Sequence, residues 1–169
     1  IWNGCDALGW PFAPCFRLLL ITGQRRLEVA RMKWSHLDLA NALWTIPKQE
    51  TKSDRQHEVP LSPMALEIIC GLPRNGDFVF STTGKTSISG FSKSKKRLDM
   101  LSDVEGWRLH DLRRTAASGM AEIGVAPHVI EKVLNHASGQ ISGIAAVYNR
   151  HGYRKEKAEA LDAWSKELE

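Results

Sequence analysis

Apolar positions recur at helical spacing through most of this chain. Residues 13–21 form a dense apolar segment that Thr22-Gly23 interrupts. A second helix is expected from Gln24, carrying Leu27, Val29, Ala30 and Met32 toward Trp34. At His36 the period changes. Leu37 and Leu39 alternate with polar residues, Asn41-Ala42 forms a turn, and residues 43–46 and 57–61 supply two further short strands. Together these predict an antiparallel meander of three strands. The polar loop 49–54 places Lys52 near its exposed tip.

The second half returns to helical spacing. Ser62 followed by Pro63 reads as a cap and first turn, with Met64, Leu66, Ile68 and Ile69 buried before Gly71. Phe78-Val79-Phe80 suits an extended segment. Residues 87–101 read as a helix with Phe91, Leu98 and Leu101 inward and Lys93, Lys95, Lys96 and Arg97 outward. A helix from His110 packs Leu112, Ala116, Met120 and Ile123 and stops at Gly124. Pro127 opens another, with Val129, Ile130, Val133 and Leu134 buried, ending at Asn135-His136. A short helix over 140–148 and a last one over 154–168, striped by Ala158, Leu161, Trp164 and Leu168, complete the chain. The expected fold is α+β, mostly α-helical, around one small three-stranded antiparallel sheet. Repeats, linkers and low-complexity tracts are absent.

Composition narrows the class. The 169 residues suffice for one domain with a real core, and 43% hydrophobic with 25% charged residues describe a soluble globular chain. The chain opens on Ile in mid-pattern, which suggests a domain cut from a longer protein. No basic segment followed by an apolar run marks a signal peptide, and the apolar run Leu18 to Ile21 is too short to span a membrane. Cys5, Cys15 and Cys70 lack paired spacing and read as reduced thiols of a cytoplasmic protein. The histidines show no metal-ligand spacing, so neither a metal nor a cofactor is expected. The net charge of +4 permits an anionic partner without requiring one.

The candidate chemistry centres on His110-Asp111-Leu112-Arg113. Three residues apart on a helix, His110 and Arg113 project from one face, away from the packed side. A guanidinium suits the paired oxygens of a phosphate, and an imidazole beside it can move a proton. Arg25 and Arg26 are expected in a first helical turn, where the dipole disfavours cations; an anion held there and simple tertiary override both fit. Glu28, three residues after Arg25, is placed to hold its guanidinium or to be an ordinary exposed partner. Adding Lys52, His136 and Tyr148 gives two arginines, two histidines, a lysine and a tyrosine. Metal-free phosphoryl transfer through a covalent intermediate needs such a set. Arginines neutralise the non-bridging oxygens, tyrosine attacks, and a cation protonates the departing sugar oxygen.

Thr22-Gly23-Gln24-Arg25-x-x-Glu28, Lys52 in a strand-connecting loop, His110-x-x-Arg113, Leu134-Asn135-His136 and Tyr148 follow the order of the tyrosine recombinases. The chain resembles the integrases of phages, prophages and genomic islands from about Ala13 onward. The resemblance implies one catalytic domain over 1–169, with amino-terminal DNA-binding domains lying elsewhere in the full protein. It implies that Arg25 and Arg113 clamp the scissile phosphate, His110 and His136 hydrogen-bond it, and Lys52 protonates the 5′-hydroxyl leaving group. Tyr148 then forms a 3′-phosphotyrosine link, and Glu28 supports the first arginine. The implied partners are a double-stranded DNA attachment site and further copies forming a tetramer on it, in a bacterial cytoplasm at the nucleoid and away from membranes.

Departures from the pattern are few. Asn135 stands where many relatives carry Gly. Lys48 and Arg55 share the hairpin with Lys52, and Tyr153 is the other tyrosine; the following Asn149-Arg150 favours Tyr148. A type IB topoisomerase and a DNA-binding relic without activity are the alternatives. The carboxy-terminal helix is expected to pack on its own domain in the isolated chain and to exchange in an assembly.

Overall fold

The computed structural model of the chain describes residues 1–136 and 152–168. The expected helix over 140–148, and Tyr148 with it, lies outside the described residues. Eight α-helices are described: α1 (Gly4–Leu8), α2 (Phe12–Thr22), α3 (Arg26–Ala30), α4 (Pro63–Cys70), α5 (Phe91–Ser102), α6 (Leu109–Glu122), α7 (Pro127–Val133) and α8 (Arg154–Glu167). Strands β1 (Leu37–Asp38), β2 (Leu43–Ile46) and β3 (His57–Pro60) form one antiparallel sheet in the order β1-β2-β3.

Helix α2 is the hub. Cys15, Phe16, Leu18, Leu19, Leu20 and Ile21 are all buried, so it is apolar on nearly every side, as a central helix must be. It packs against α1, α3, α4, α6 and α8. Phe12 and Phe16 join Phe91 of α5 in an aromatic cluster with centroids 5.4–6.2 Å apart. In the sheet, Trp44 pairs with Val59 and Ile46 with His57. All four are buried, because alternate residues of both strands face the helices.

Helix α8 packs on its own domain, against β3, α7, α6 and α2. Trp164 Nε1 donates to Leu20 O at 3.0 Å. Its ring lies so close to α6 that a Cβ on Gly119 would come within 2.1 Å of it. Among the described residues no helix is long and apolar enough to cross a membrane.

The structure adjusts several expected boundaries and faces. The second helix is only Arg26–Ala30, because Met32 turns out to receive Val79 N–H at 2.8 Å and the chain leaves the helix there. Helix α5 starts at Phe91 rather than 87, and Leu101 is 40% exposed at its end. In α4 the buried positions are Ala65 and Ile69, with Met64, Leu66 and Ile68 only half-buried. In α8, Lys157 and Ala160 are buried and Ala158 half-buried, since the helix faces β3 as well as α6.

Candidate active site

The site is assembled from helix ends. Helix α2 closes with Thr22 Oγ1 donating to Leu18 O (2.6 Å) and Gly23 N–H donating to Leu19 O (3.1 Å). Gly23 has φ +63°, and a Cβ there would also meet Leu134 Cδ2 at 3.1 Å. Glycine is favoured on both counts. The turn directs Gly23 O at α6, where it accepts from Arg113 Nη1 at 2.6 Å.

Helices α3 and α6 begin alike. Buried Glu28 accepts the Arg25 backbone N–H (2.9 Å) on one carboxylate oxygen and the Arg25 guanidinium (3.1 Å) on the other. Asp111 accepts the Arg108 N–H (2.7 Å) and Arg114 (2.8 Å). In each case an acid in the first turn supplies the missing acceptor and complements the dipole. Those hydrogen bonds, the Arg108 amide first, hold the Asp111 carboxyl below its usual range. Arg25 is therefore the residue before α3, not part of its first turn. The cation foreseen in the first turn is Arg26 alone, and Glu28 offsets the charge of Arg25 at the helix end by fixing both its main chain and its guanidinium.

Arg113 departs from expectation in the opposite sense. It is 4% exposed, not displayed beside His110 on an open face. One arm of its fork meets Gly23 O and the other Leu134 O. Burial, then the neighbouring Arg25, pushes its pKa down to about 10, so it remains a cation at neutral pH. His110 is exposed on the next turn. Partial burial and the cations Arg113 and Arg114 lower its pKa from 6.5, which leaves the imidazole neutral at neutral pH.

Helix α7 ends in a left-handed Asn135 (φ +50°), with His136 N–H donating back to Glu131 O at 3.1 Å. This six-to-one closure needs a residue that tolerates positive φ, which glycine and asparagine do. The Asn for Gly departure is thus a substitution between the two residues suited to that turn. The turn carries the His136 ring, whose Nδ1 lies 3.1 Å from the Glu131 carboxylate. Arg25 Nη2 donates to Asn135 O at 3.4 Å.

Arg25, Lys52, His110 and Arg113 line one groove of about 980 Å³, with Glu28 behind Arg25. Arg26, Arg31, Lys96 and Arg108 make its walls cationic. Lys95, expected on an outward basic face, is instead half-buried, paired with Asp99 (2.8 Å) and 4.8 Å over the Trp107 ring. Lys52 is exposed on the β2–β3 loop. Of the other hairpin cations, Lys48 pairs with Asp54 at 3.3 Å, and Arg55 lines the adjoining cavity instead. His136 opens on that adjoining cavity, of about 270 Å³, and is joined to the groove through the turn that Arg25 and Arg113 hold. Tyr148 lies outside the described residues. Tyr153 precedes α8, its ring edge-on to His128 (centroids 5.5 Å) and under Lys132 (5.7 Å).

Two buried polar residues of this region, Gln24 and His57, carried no role in the sequence reading, although Gln24 stands within the Thr22-to-Glu28 motif. His57 had a signal: the two-residue alternation puts it on the same buried face as Val59.

The sequence profile of the Phage integrase family matches residues 6–155. The prophage integrase IntZ of Escherichia coli (strain K12) is 31% identical over 161 residues, covering 87% of this chain and 39% of the relative. The chain spans about two fifths or less of the length of the curated relatives it matches. An integrase from mycobacterium phage Brujita superposes with a TM-score of 0.69 over 88% of this chain and 50% of its own, at 23% identity. A lambda integrase fragment crystallised as a dimer on a COC′ core site gives 0.65 over 84% and 56%, at 18% identity. These likenesses show the shared fold.

Proposed function

The chain belongs to the phage integrase family, and from that premise we propose that it is the catalytic domain of a site-specific DNA recombinase. The observation that carries this reading is the meeting of Arg25, Lys52, His110 and Arg113 on one cationic groove. A groove walled by guanidinium and ammonium groups suits the DNA backbone, and the lambda integrase relative was itself crystallised on a DNA core site.

In this reading Arg25 and Arg113 hold the non-bridging oxygens of the scissile phosphate and offset the charge that builds in the transition state. The Tyr148 oxygen attacks phosphorus, with His110 or His136 taking its proton. The bond to the 5′ oxygen breaks, and Lys52 gives that oxygen a proton. The products are a 3′-phosphotyrosine link and a free 5′-hydroxyl. A 5′-hydroxyl from the partner strand reverses the sequence and returns the proton. Glu28 keeps Arg25 in place. The complete protein works in the bacterial cytoplasm at the nucleoid, as a tetramer on its attachment site.

The test uses the full-length protein and a nicked suicide substrate carrying the attachment site. Wild type, Tyr148→Phe and Tyr153→Phe are compared on a denaturing gel. A protein–DNA adduct lost only in Tyr148→Phe is expected. Loss only in Tyr153→Phe overturns the nucleophile, and firm binding without any adduct replaces the recombinase with a DNA-binding relic. Relaxation of supercoiled DNA lacking a partner site favours a topoisomerase.

A further inference from the structure

Three successive carbonyls at the end of α7 are held by side chains distant in sequence. Val133 O accepts from Gln24 Nε2 at 2.9 Å and from His57 Nε2 at 3.1 Å. Leu134 O accepts from Arg113 and Asn135 O from Arg25. The last carbonyls of a helix lack intrahelical partners, and water or a glycine turn ordinarily serves them. Here the fold commits two buried polar side chains to a single oxygen. Gln24 is 1% exposed and His57 6%.

Both donors are unambiguous. The acceptor is a carbonyl, so His57 carries its proton on Nε2. Gln24 Nε2 also donates to Thr22 O at 2.8 Å, and two carbonyl acceptors fix its amide orientation. Gln24 Oε1 is left without a partner among the described residues. Burying such groups costs more than an apolar pair would, so stability alone is a poor reason for them. Burial, then Lys157, pushes the His57 pKa down to about 3, which keeps this donor neutral and unchanged at working pH.

The geometry points to Gln24 and His57 as positioning residues: by fixing Val133 O they set the Leu134-Asn135-His136 turn against Arg25 and Arg113. Gln24 adjoins Arg25 in sequence, so one strand of backbone grips the turn at both Val133 and Asn135. His57 grips it from the sheet, at the base of the hairpin that carries Lys52. His57 is not among the residues that line the groove, and Gln24, which borders it, is 1% exposed with its amide turned to Val133 O and Thr22 O. Their effect on reaction passes through His136 and Arg113, and it rests on the recombinase reading above.

The experiment compares wild type, His57→Leu, His57→Gln and Gln24→Leu in the full-length protein. Glutamine places an amide N–H near the position of imidazole Nε2, whereas leucine keeps bulk without a donor. Site affinity, melting temperature and single-turnover adduct rate are measured on the same substrate. Displacement of the turn by about 1 Å is expected to slow adduct formation in His57→Leu by about 10²-fold. Affinity should stay within about twofold, and His57→Gln should regain most of the rate. Should His57→Leu not fold, Gln24→Leu carries the same comparison. Equal rates in leucine and glutamine variants, or rate and affinity falling together with melting temperature, overturn the proposal. Amide hydrogen exchange at Asn135 and His136 is read in parallel and needs no cleavage. If wild type forms no adduct the recombinase reading falls; unchanged exchange in His57→Leu instead overturns the positioning alone.

Discussion

The turn after α7 and the loop between β2 and β3 bring candidate groups to the same region by opposite means. The turn is held from four directions, by Gln24, His57, Arg25 and Arg113, on three consecutive carbonyls. The loop that carries Lys52 is tied to the body of the fold by the Lys33–Glu50 ion pair at its start (3.1 Å), and around Lys52 its bonds are local: Thr51 bonds to Lys48 O and Arg55 O, and Lys48 pairs with Asp54 at its exposed surface. The difference matches the two tasks. Groups that neutralise a developing charge act by being in place before reaction, since reorganisation at that moment would raise the barrier. A proton donor has to reach the leaving oxygen only as the bond breaks. A buried guanidinium on two carbonyls suits the first task, and an exposed ammonium on a loop suits the second.

The largest effect that would break this contrast is at Arg113. Arg113→Leu removes the cation and orphans two carbonyls; no adduct should form, and unfolding free energy should fall by ~2–4 kcal/mol in urea melts. Lys52→Ala should lower adduct rate by about 10²–10⁴-fold while shifting stability by less than ~0.5 kcal/mol. A marked loss of stability at Lys52 would mean that the loop is as built-in as the turn.

Acid sharpens the same contrast. The folded-state pKa of His57 is depressed to about 3 from 6.5. Below pH 6.5 the unfolded chain takes a proton that the folded chain refuses. The stability difference is absent above pH 6.5 and grows as pH falls toward 3, at up to ~1.4 kcal/mol per unit. Between pH 7 and 5 wild type should therefore lose ~2 kcal/mol more than His57→Gln, measured by urea unfolding at both values. The smallest effect is at Asn135, whose side-chain amide nitrogen is buried without a partner among the described residues. Asn135→Gly should change stability by less than ~0.5 kcal/mol and Asn135→Val should cost ~1–2 kcal/mol, because a β-branched residue resists φ +50°.

Much of this organisation was written in local pattern. The hub helix, the meander and the helices at Ser62, His110, Pro127 and Arg154 follow from apolar spacing and caps, and Glu28 was placed behind Arg25 by a spacing of three. What local pattern left out was set by distant partners. Arg113 reads as exposed until Gly23 O and Leu134 O, 90 and 21 residues away, are brought to its fork. Lys157 lies outside the expected apolar stripe of its helix, yet it is buried because Glu58 O receives its ammonium. The roles of Gln24 and His57 depend on Val133, 109 and 76 residues from them, and no periodicity encodes such pairings.

The division of labour between turn and loop is tested most directly by replacing the bridging 5′ oxygen of the scissile phosphate with sulfur. A thiolate leaves without a proton, its conjugate acid having a pKa near ~8.5. On this substrate Lys52→Ala should form adduct at close to the wild-type rate, while Arg113→Leu should remain inactive. Restoration of both variants, or of neither, would contradict the account.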